Sequence, residues 1–197
     1  SRKMEGRGVP LGEVSDVQRG ITPFTTAPQK LWENYTPCLD GDLRRYSYNF
    51  TGAMFVRYDE ELPEYKDPIY FTGPRLLLRE LISRQFRLQA AYASEDFVTN
   101  KSVQSILSRD SRYGLFYILA LLNSKLMSWF HLHRSAISLR DDFPKIILDE
   151  ARRLPIRNIP FTSEQKEQER LFAKATGLYA RCLVKDDFVC VTGLVDQ

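Results

Sequence analysis

The 197-residue sequence predicts an α+β domain in which short, mainly antiparallel strands pack on a long central helix, followed by a C-terminal helix. Three stretches carry this reading. Tyr113–Arg134 (YGLFYILALLNSKLMSWFHLHR) has apolar residues at helical spacing. Arg75–Tyr92 holds two apolar runs joined by the polar connection Ile82–Gln85, which is a hairpin pattern. Thr162 with Gln165 forms a capping-box signature ahead of a charged run, Ser163–Leu183.

In the central stretch, Leu115, Ile118, Leu119, Leu122, Leu126, Trp129 and Phe130 form one stripe, which predicts a single helix. Asn123, Ser124, Lys125 and Ser128 fall between them and are expected to face water or a neighbour. Asp110 or Ser111 is the expected N-cap, because a short side-chain oxygen satisfies free first-turn amides. His131, His133 and Arg134 fall in the last turn, where positive charge suits the helix dipole. The uninterrupted apolar run is far below the ~20 residues of a membrane span, so a core helix is expected and no membrane.

The remaining elements follow in order. Val9–Gln18 predicts a strand ending in a turn at Arg19-Gly20. Thr22–Gln29 is a polar loop with two prolines, and Pro37–Tyr46 places a tight Asp-Gly turn before Arg44-Arg45. Ala53–Tyr58 predicts a short strand and Asp59–Asp67 an exposed acidic linker. The hairpin strands are Leu76–Leu78 and Leu88–Tyr92, and further short strands are expected at Asp96–Asn100 and Val103–Leu107. After the central helix come the polar loop Ser135–Asp142, the Phe143-Pro144-Lys145 turn and a mixed segment, Ile146–Ile156. Phe188–Leu194 alternates weakly and adds a candidate late strand. The expected organisation is one domain over residues 9–160, with a helix and tail over 161–197 packed on it.

A chain of this length buries roughly 70 % of its unfolded surface and needs no disulfide or metal to fold. Cys38, Cys182 and Cys190 are odd in number and scattered, which points to a reducing compartment, the cytoplasm. The chain opens on Ser1 rather than Met, and a piece of a longer protein is expected. The net charge of +3 is unevenly spread. Asp40, Asp42, Asp59, Glu60, Glu61, Glu64 and Asp67 make one region acidic. Arg75, Arg79, Arg84, Arg87, Lys101, Arg109 and Arg112 make the middle basic, and Lys125, Arg134, Arg140, Lys145, Arg152, Arg153 and Arg157 continue it. A sided basic face is the footprint of a phosphate-binding surface, and it is equally compatible with a solvated, arginine-rich surface.

Catalytic sets are not evident. His131 and His133 lie two apart on a helix and point to different faces, so they share no metal. Glu64-Tyr65-Lys66 and Glu164-Gln165-Lys166 match a Glu-x-Lys nuclease pattern by letter only; such an enzyme also needs an upstream Asp to hold a divalent ion. There is no glycine-rich phosphate loop after a strand, no Gly-x-Ser-x-Gly elbow and no assignable His partner for Cys38. No catalytic residue is assigned.

Several stretches, in order, carry a family resemblance. They are Leu11–Pro23 (LGEVSDVQRGITP), Cys38–Tyr46 (CLDGDLRRY), Leu76–Tyr92 (LLLRELISRQFRLQAAY), Asn100–Ile106 (NKSVQSI), Tyr117–His131 (YILALLNSKLMSWFH), and FPKI with LPI beyond it. Together they resemble the C-terminal specificity domain of TaqI-type DNA adenine N6-methyltransferases, which also occurs in fused type II restriction–modification proteins of the Eco57I and MmeI kind. The first stretch is also similar to the opening of target-recognition domains in type I specificity subunits. The resemblance spans Leu11 to about Pro160.

The resemblance implies a recognition module for double-stranded DNA, preceded by a methyltransferase domain that binds S-adenosylmethionine. The Asn-Pro-Pro-Tyr-type tetrad and the glycine-rich cofactor segment of such a domain are not in this sequence. The implied module is therefore non-catalytic by itself, with no cofactor of its own. Arg19, Thr22 and Pro23 follow the first strand, where the family turns toward DNA. Arg44 and Arg45 follow the Asp-Gly turn, Arg79 and Arg84 belong to the hairpin, and Lys101, Arg134, Pro144 and Lys145 complete the candidate face. Arg pairs bidentately with guanine edges in the major groove, while other cations grip phosphates. The Phe143-Pro144-Lys145 turn resembles the family's segment near the flipped adenine. Each cation taken singly also fits an ordinary surface charge, Arg79 a pairing with Glu80, and Phe143 a core position. A second reading is a protein–protein assembly module like a type I specificity-subunit segment. A third is a divalent-metal nuclease using Glu64 or Glu164.

Overall fold

The computed structural model describes residues 8–39, 42–135 and 144–157. The Asp40-Gly41 turn, Phe143, the Ser163–Leu183 helix and the Phe188–Leu194 strand predicted above lie outside these residues, as does the whole 161–197 unit.

The chain begins with β1 (Gly8–Pro10), the single helical turn α1 (Leu11–Val14) and β2 (Ser15–Arg19). The one strand predicted over Val9–Gln18 is thus broken in two. Leu11 and Val14, at helical spacing, both turn into the core, and β1 leaves to pair with β11 (Pro155–Arg157) instead. The short strands β3 (Thr26–Ala27), β4 (Tyr35–Pro37), β5 (Leu43–Arg44), β6 (Ser47–Tyr48) and β7 (Phe55–Arg57) follow. Then come the longer β8 (Arg75–Arg79), β9 (Ala90–Ala93) and β10 (Val103–Ser108). The helices are α2 (Leu115–Asn123), α3 (Lys125–Leu132) and α4 (Leu148–Arg152). The α+β class and the antiparallel β8–β9 hairpin are as the sequence predicts.

The centre is a four-stranded antiparallel sheet in the order β2-β10-β8-β9. Leu76, Leu77 and Leu78 of β8 are all fully buried because both sheet faces are covered, so the strand reads as a continuous apolar run. Alternation divides them. Leu76 and Leu78 join Val17, Ile106, Leu119 and Leu122 under the helices, while Leu77 joins Leu39, Leu43, Ala91 and Phe97 on the opposite face. A second small sheet, β3-β7-β4, builds a satellite core with Ile21, Val56, Leu62 and Phe71.

The predicted acidic linker belongs to this satellite. Leu62 is buried in it, and Tyr58 stacks on Tyr65 at 5.4 Å, so the segment is packed rather than loose. Asp96–Asn100 is not a strand; it makes only isolated parallel bridges, Cys38 with Val98 and Ile21 with Asn100. Arg75, counted above with the basic middle, is fully buried. Its Nη1 donates to the Gly73 and Glu95 carbonyls at 2.9 and 2.8 Å, and its guanidinium lies 4.6 Å from the Phe97 ring centroid.

The single central helix is in fact two, α2 and α3, bent by 62° at Ser124. Ser124 is extended (φ −69°, ψ 152°) and its Oγ accepts from the Met127 amide at 3.0 Å, so it ends one helix and caps the next. The new phase turns part of the predicted stripe outward, while Phe130 stays buried. Leu126 and Trp129 are 57 % and 46 % exposed, whereas Met127, Ser128, Phe130 and His131 are buried. Asn123 and Ser128, expected to face water or a neighbour, face β9 and its lead-in. The Ser128 Oγ accepts from the Leu88 amide at 3.2 Å. Gly114, not Asp110 or Ser111, is the N-cap of α2, and Asp110 instead binds Arg112 at 2.6 Å.

Candidate nucleic-acid interface

Antiparallel pairing brings three strand ends together. Val103, at the start of β10, lies opposite Arg79 at the end of β8, and Gln104 lies opposite Arg19 at the end of β2. Arg19 and Arg79 end two of these strands, and Arg84 and Lys101 lie on loops at the same end. Arg79 and Arg19 are separated by the one intervening strand, roughly 10 Å at the usual strand spacing.

Each loop is anchored through its backbone. Gly20 donates to the Val103 carbonyl at 3.0 Å. A Cβ on Gly20 would sit 2.1 Å from the Thr99 carbonyl oxygen, so only glycine lets these chains approach. Asn100 Oδ1 accepts from the Ser102 amide at 2.9 Å, and Ser102 accepts from the Glu80 amide at 2.7 Å, which fixes the turn carrying Lys101. The Pro144–Ile146 segment lies alongside the continuation of β8: Leu81 bridges Lys145, Ile82 donates to Pro144 at 3.0 Å and Ile146 donates to Glu80 at 2.8 Å. Gln104 Nε2 holds the same segment from below, donating to the Ile146 carbonyl at 2.8 Å.

These anchors leave an open groove of about 600 Å³, lined among others by Asp42, Arg44, Arg79, Arg84, Gln89 and Pro144. Arg79 is half-buried and donates to the Leu43 carbonyl at 3.3 Å, not to Glu80. Arg84 and Lys101 are exposed, and their side chains make no hydrogen bond or ion pair among the described residues. Three other cations are paired: Arg19 with Glu64 at 2.9 Å, Arg44 with Asp42 at 3.0 Å and Lys145 with Glu80 at 3.4 Å. Solvated pairs of this kind contribute only about 0–1 kcal/mol. They orient the cations while remaining easily exchanged for a phosphate.

Thr22 and Pro23 flank the β2 side of this end; the Thr22 carbonyl accepts from the Glu64 amide at 3.3 Å. Arg45 is half-buried and lies near Arg87, whose guanidinium pKa is lowered by burial and then by Arg45. Arg134 is placed apart from the groove. It lines a separate small cavity of about 160 Å³ with His131, Ser135, Glu150 and Arg153. Asp42, read from the sequence only as part of the acidic region, and Gln89, within the Leu76–Tyr92 stretch, join the groove lining as well.

Chemistry elsewhere among the described residues is sparse. His131 is buried, its ring nitrogen against the Lys145 carbonyl at 3.2 Å, and burial pulls its pKa down. Glu64 is engaged with Arg19. Among the described residues no group of three or more His, Cys, Asp or Glu could hold a metal ion.

A sheet end that gathers basic side chains around an open groove defines a recognition surface. Residues 36–156 match the TaqI-like C-terminal specificity domain, and the chain belongs to that family. It is thus a specificity domain, the DNA-binding class of module used by restriction–modification systems. A Methanocaldococcus jannaschii protein described as a type II restriction enzyme and methyltransferase is 33 % identical over 150 residues, 74 % of this chain and 13 % of that protein. The fold is similar to the HsdS subunit of Thermoanaerobacter tengcongensis (TM-score 0.56, 15 % identity, 95 % of this chain and 41 % of that one). It is equally similar to a chain from a type I restriction–modification assembly (TM-score 0.55, 14 % identity, 92 % of this chain and 41 % of that one).

Proposed function

We propose that this domain binds duplex DNA through the basic end of its four-stranded sheet and presents a specific site to a methyltransferase domain of the same protein. The observation that carries this reading is the convergence of Arg44, Arg79, Arg84 and Pro144 on one groove, with Arg19 at the end of β2 and Lys101 and Lys145 on adjoining segments. Arg84 and Arg79 are the candidate base readers, because a guanidinium fork matches the two acceptors of guanine. Lys101, Arg19 and Lys145 set position on phosphates.

The family and the Methanocaldococcus relative support the wider assignment. We take the whole protein to be an S-adenosylmethionine-dependent DNA adenine N6-methyltransferase, with or without a fused endonuclease, acting in the cytoplasm. The cofactor belongs to the upstream domain, and the domain described here carries recognition alone. Among the described residues no single helix is long and apolar enough to cross a membrane.

The test is binding of a duplex DNA pool in a gel-shift titration at rising salt, with the wild-type chain and an Arg79→Ala/Arg84→Ala variant of unchanged circular dichroism. Salt-sensitive binding that the double variant loses is the expected result. Binding indifferent to both salt and the substitutions would refute it.

A further inference from the structure

We propose that Phe86 is an aromatic wedge that stacks on a base step beside the groove; this rests on the DNA-binding reading above. Phe86 is 60 % exposed, which for one phenylalanine is ordinary. Its backbone is not. Phe86 has φ +56°, a left-handed conformation that bulky side chains rarely adopt and that favours glycine or asparagine. Strain of this kind persists only where surrounding structure enforces it, and it concentrates at functional sites.

The enforcement is visible. Ser83 donates to the Arg87 carbonyl at 3.0 Å, the Ser83 Oγ accepts from the Arg87 amide at 3.1 Å and Phe86 donates to the Ser83 carbonyl at 2.8 Å. Arg87 roots the turn by donating from its guanidinium to the Asn123 carbonyl at the end of α2. The same turn places Ser83 and Arg84 on the groove. An exposed aromatic ring therefore sits on a hydrogen-bonded turn with a left-handed backbone, two residues from a groove arginine. Its chemistry suits the π-face of a base, which accepts stacking without regard to sequence.

The proposal is tested with a duplex enriched from a random-sequence pool by the 197-residue chain, followed by Phe86→Ala, Phe86→Gly and Phe86→Trp. Loss of a stacked base predicts about ten-fold weaker binding by the Ala and Gly variants, with Trp restoring affinity. The slope of affinity against salt stays at the wild-type value, because no phosphate contact is lost. Phe86→Gly, which suits the left-handed backbone, melts no lower than wild type. With 2-aminopurine scanned through the duplex, fluorescence rises at one step for wild type and Trp, and not for Ala. Unchanged affinity in the Ala and Gly variants would overturn the wedge alone, as would an affinity loss matched by a loss of thermal stability. Failure to enrich any duplex would overturn the DNA-binding reading itself.

Discussion

Asn123 caps the β9 edge of the central sheet by pairing both ways with one residue: its Nδ2 donates to the Ala90 carbonyl at 2.9 Å, and its Oδ1 accepts from the Ala90 amide at 3.0 Å. Ala90 opens β9, the outermost strand, where an unpaired amide would otherwise be buried. Asn123→Ala leaves that amide without a partner, while the carbonyl keeps its bond from the Tyr46 amide at 2.7 Å. A loss of about 1–3 kcal/mol is expected in urea unfolding, the cost of one buried unsatisfied group. A loss below about 0.5 kcal/mol, the range of a neutral surface change, would show that water replaces the side chain.

The salt response separates position from reading. Lys101→Ala should lower the slope of log affinity against log salt by about one phosphate contact and weaken all duplexes alike. Arg84→Ala, if Arg84 reads a base, should cost about 1–3 kcal/mol on the preferred duplex and flatten discrimination at one base pair. Competition titrations with single-base variants of an enriched duplex measure both. Equal losses on every duplex for Arg84→Ala would assign it to phosphate.

Gly20 couples fold to groove. Gly20→Ala drives a methyl group into the Thr99 and Asn100 carbonyls, 2.1 and 2.3 Å from the Cβ position. These are backbone atoms that move only with the Lys101 turn. Overpacking of this kind costs about 1–3 kcal/mol or more. The expected result is a lower melting temperature together with weaker DNA binding, measured on the same preparation. A variant with wild-type melting would show that the two chains separate freely.

His131 predicts a pH dependence. Burial lowers its pKa below the free value of about 6.5, against weaker opposing effects from Glu150 and the Lys145 carbonyl. The unfolded chain therefore binds a proton that the folded chain resists. Stability is greatest above the unfolded pKa and falls as pH drops below it toward the folded value. Urea midpoints at pH 7.5, 6 and 5 should decline for wild type, and decline less for His131→Gln. Parallel declines would place the titrating group elsewhere.

Much of this molecule is legible from its residues in order, and the part that is not has a common cause. The β8–β9 hairpin and β10 are readable because an unbroken apolar run such as Leu76–Leu78 suits a strand covered on both faces. Family membership was readable from the ordered stretches between Leu11 and Ile156. The bend at Ser124 was not. A regular stripe from Leu115 to Phe130 favours one helix, and the break is set by partners 33 and 40 residues away, Ala90 for Asn123 and Leu88 for Ser128. The same holds for the face. Composition and order determined that this protein is rich in arginine and lysine and which family it belongs to. Only tertiary structure decided that Arg79 and Arg84 line a groove, that Arg75 is buried under carbonyls and that Arg134 lies elsewhere. The reason is that strand register and long-range backbone hydrogen bonds, not neighbours in sequence, determine which loops share one end of a sheet.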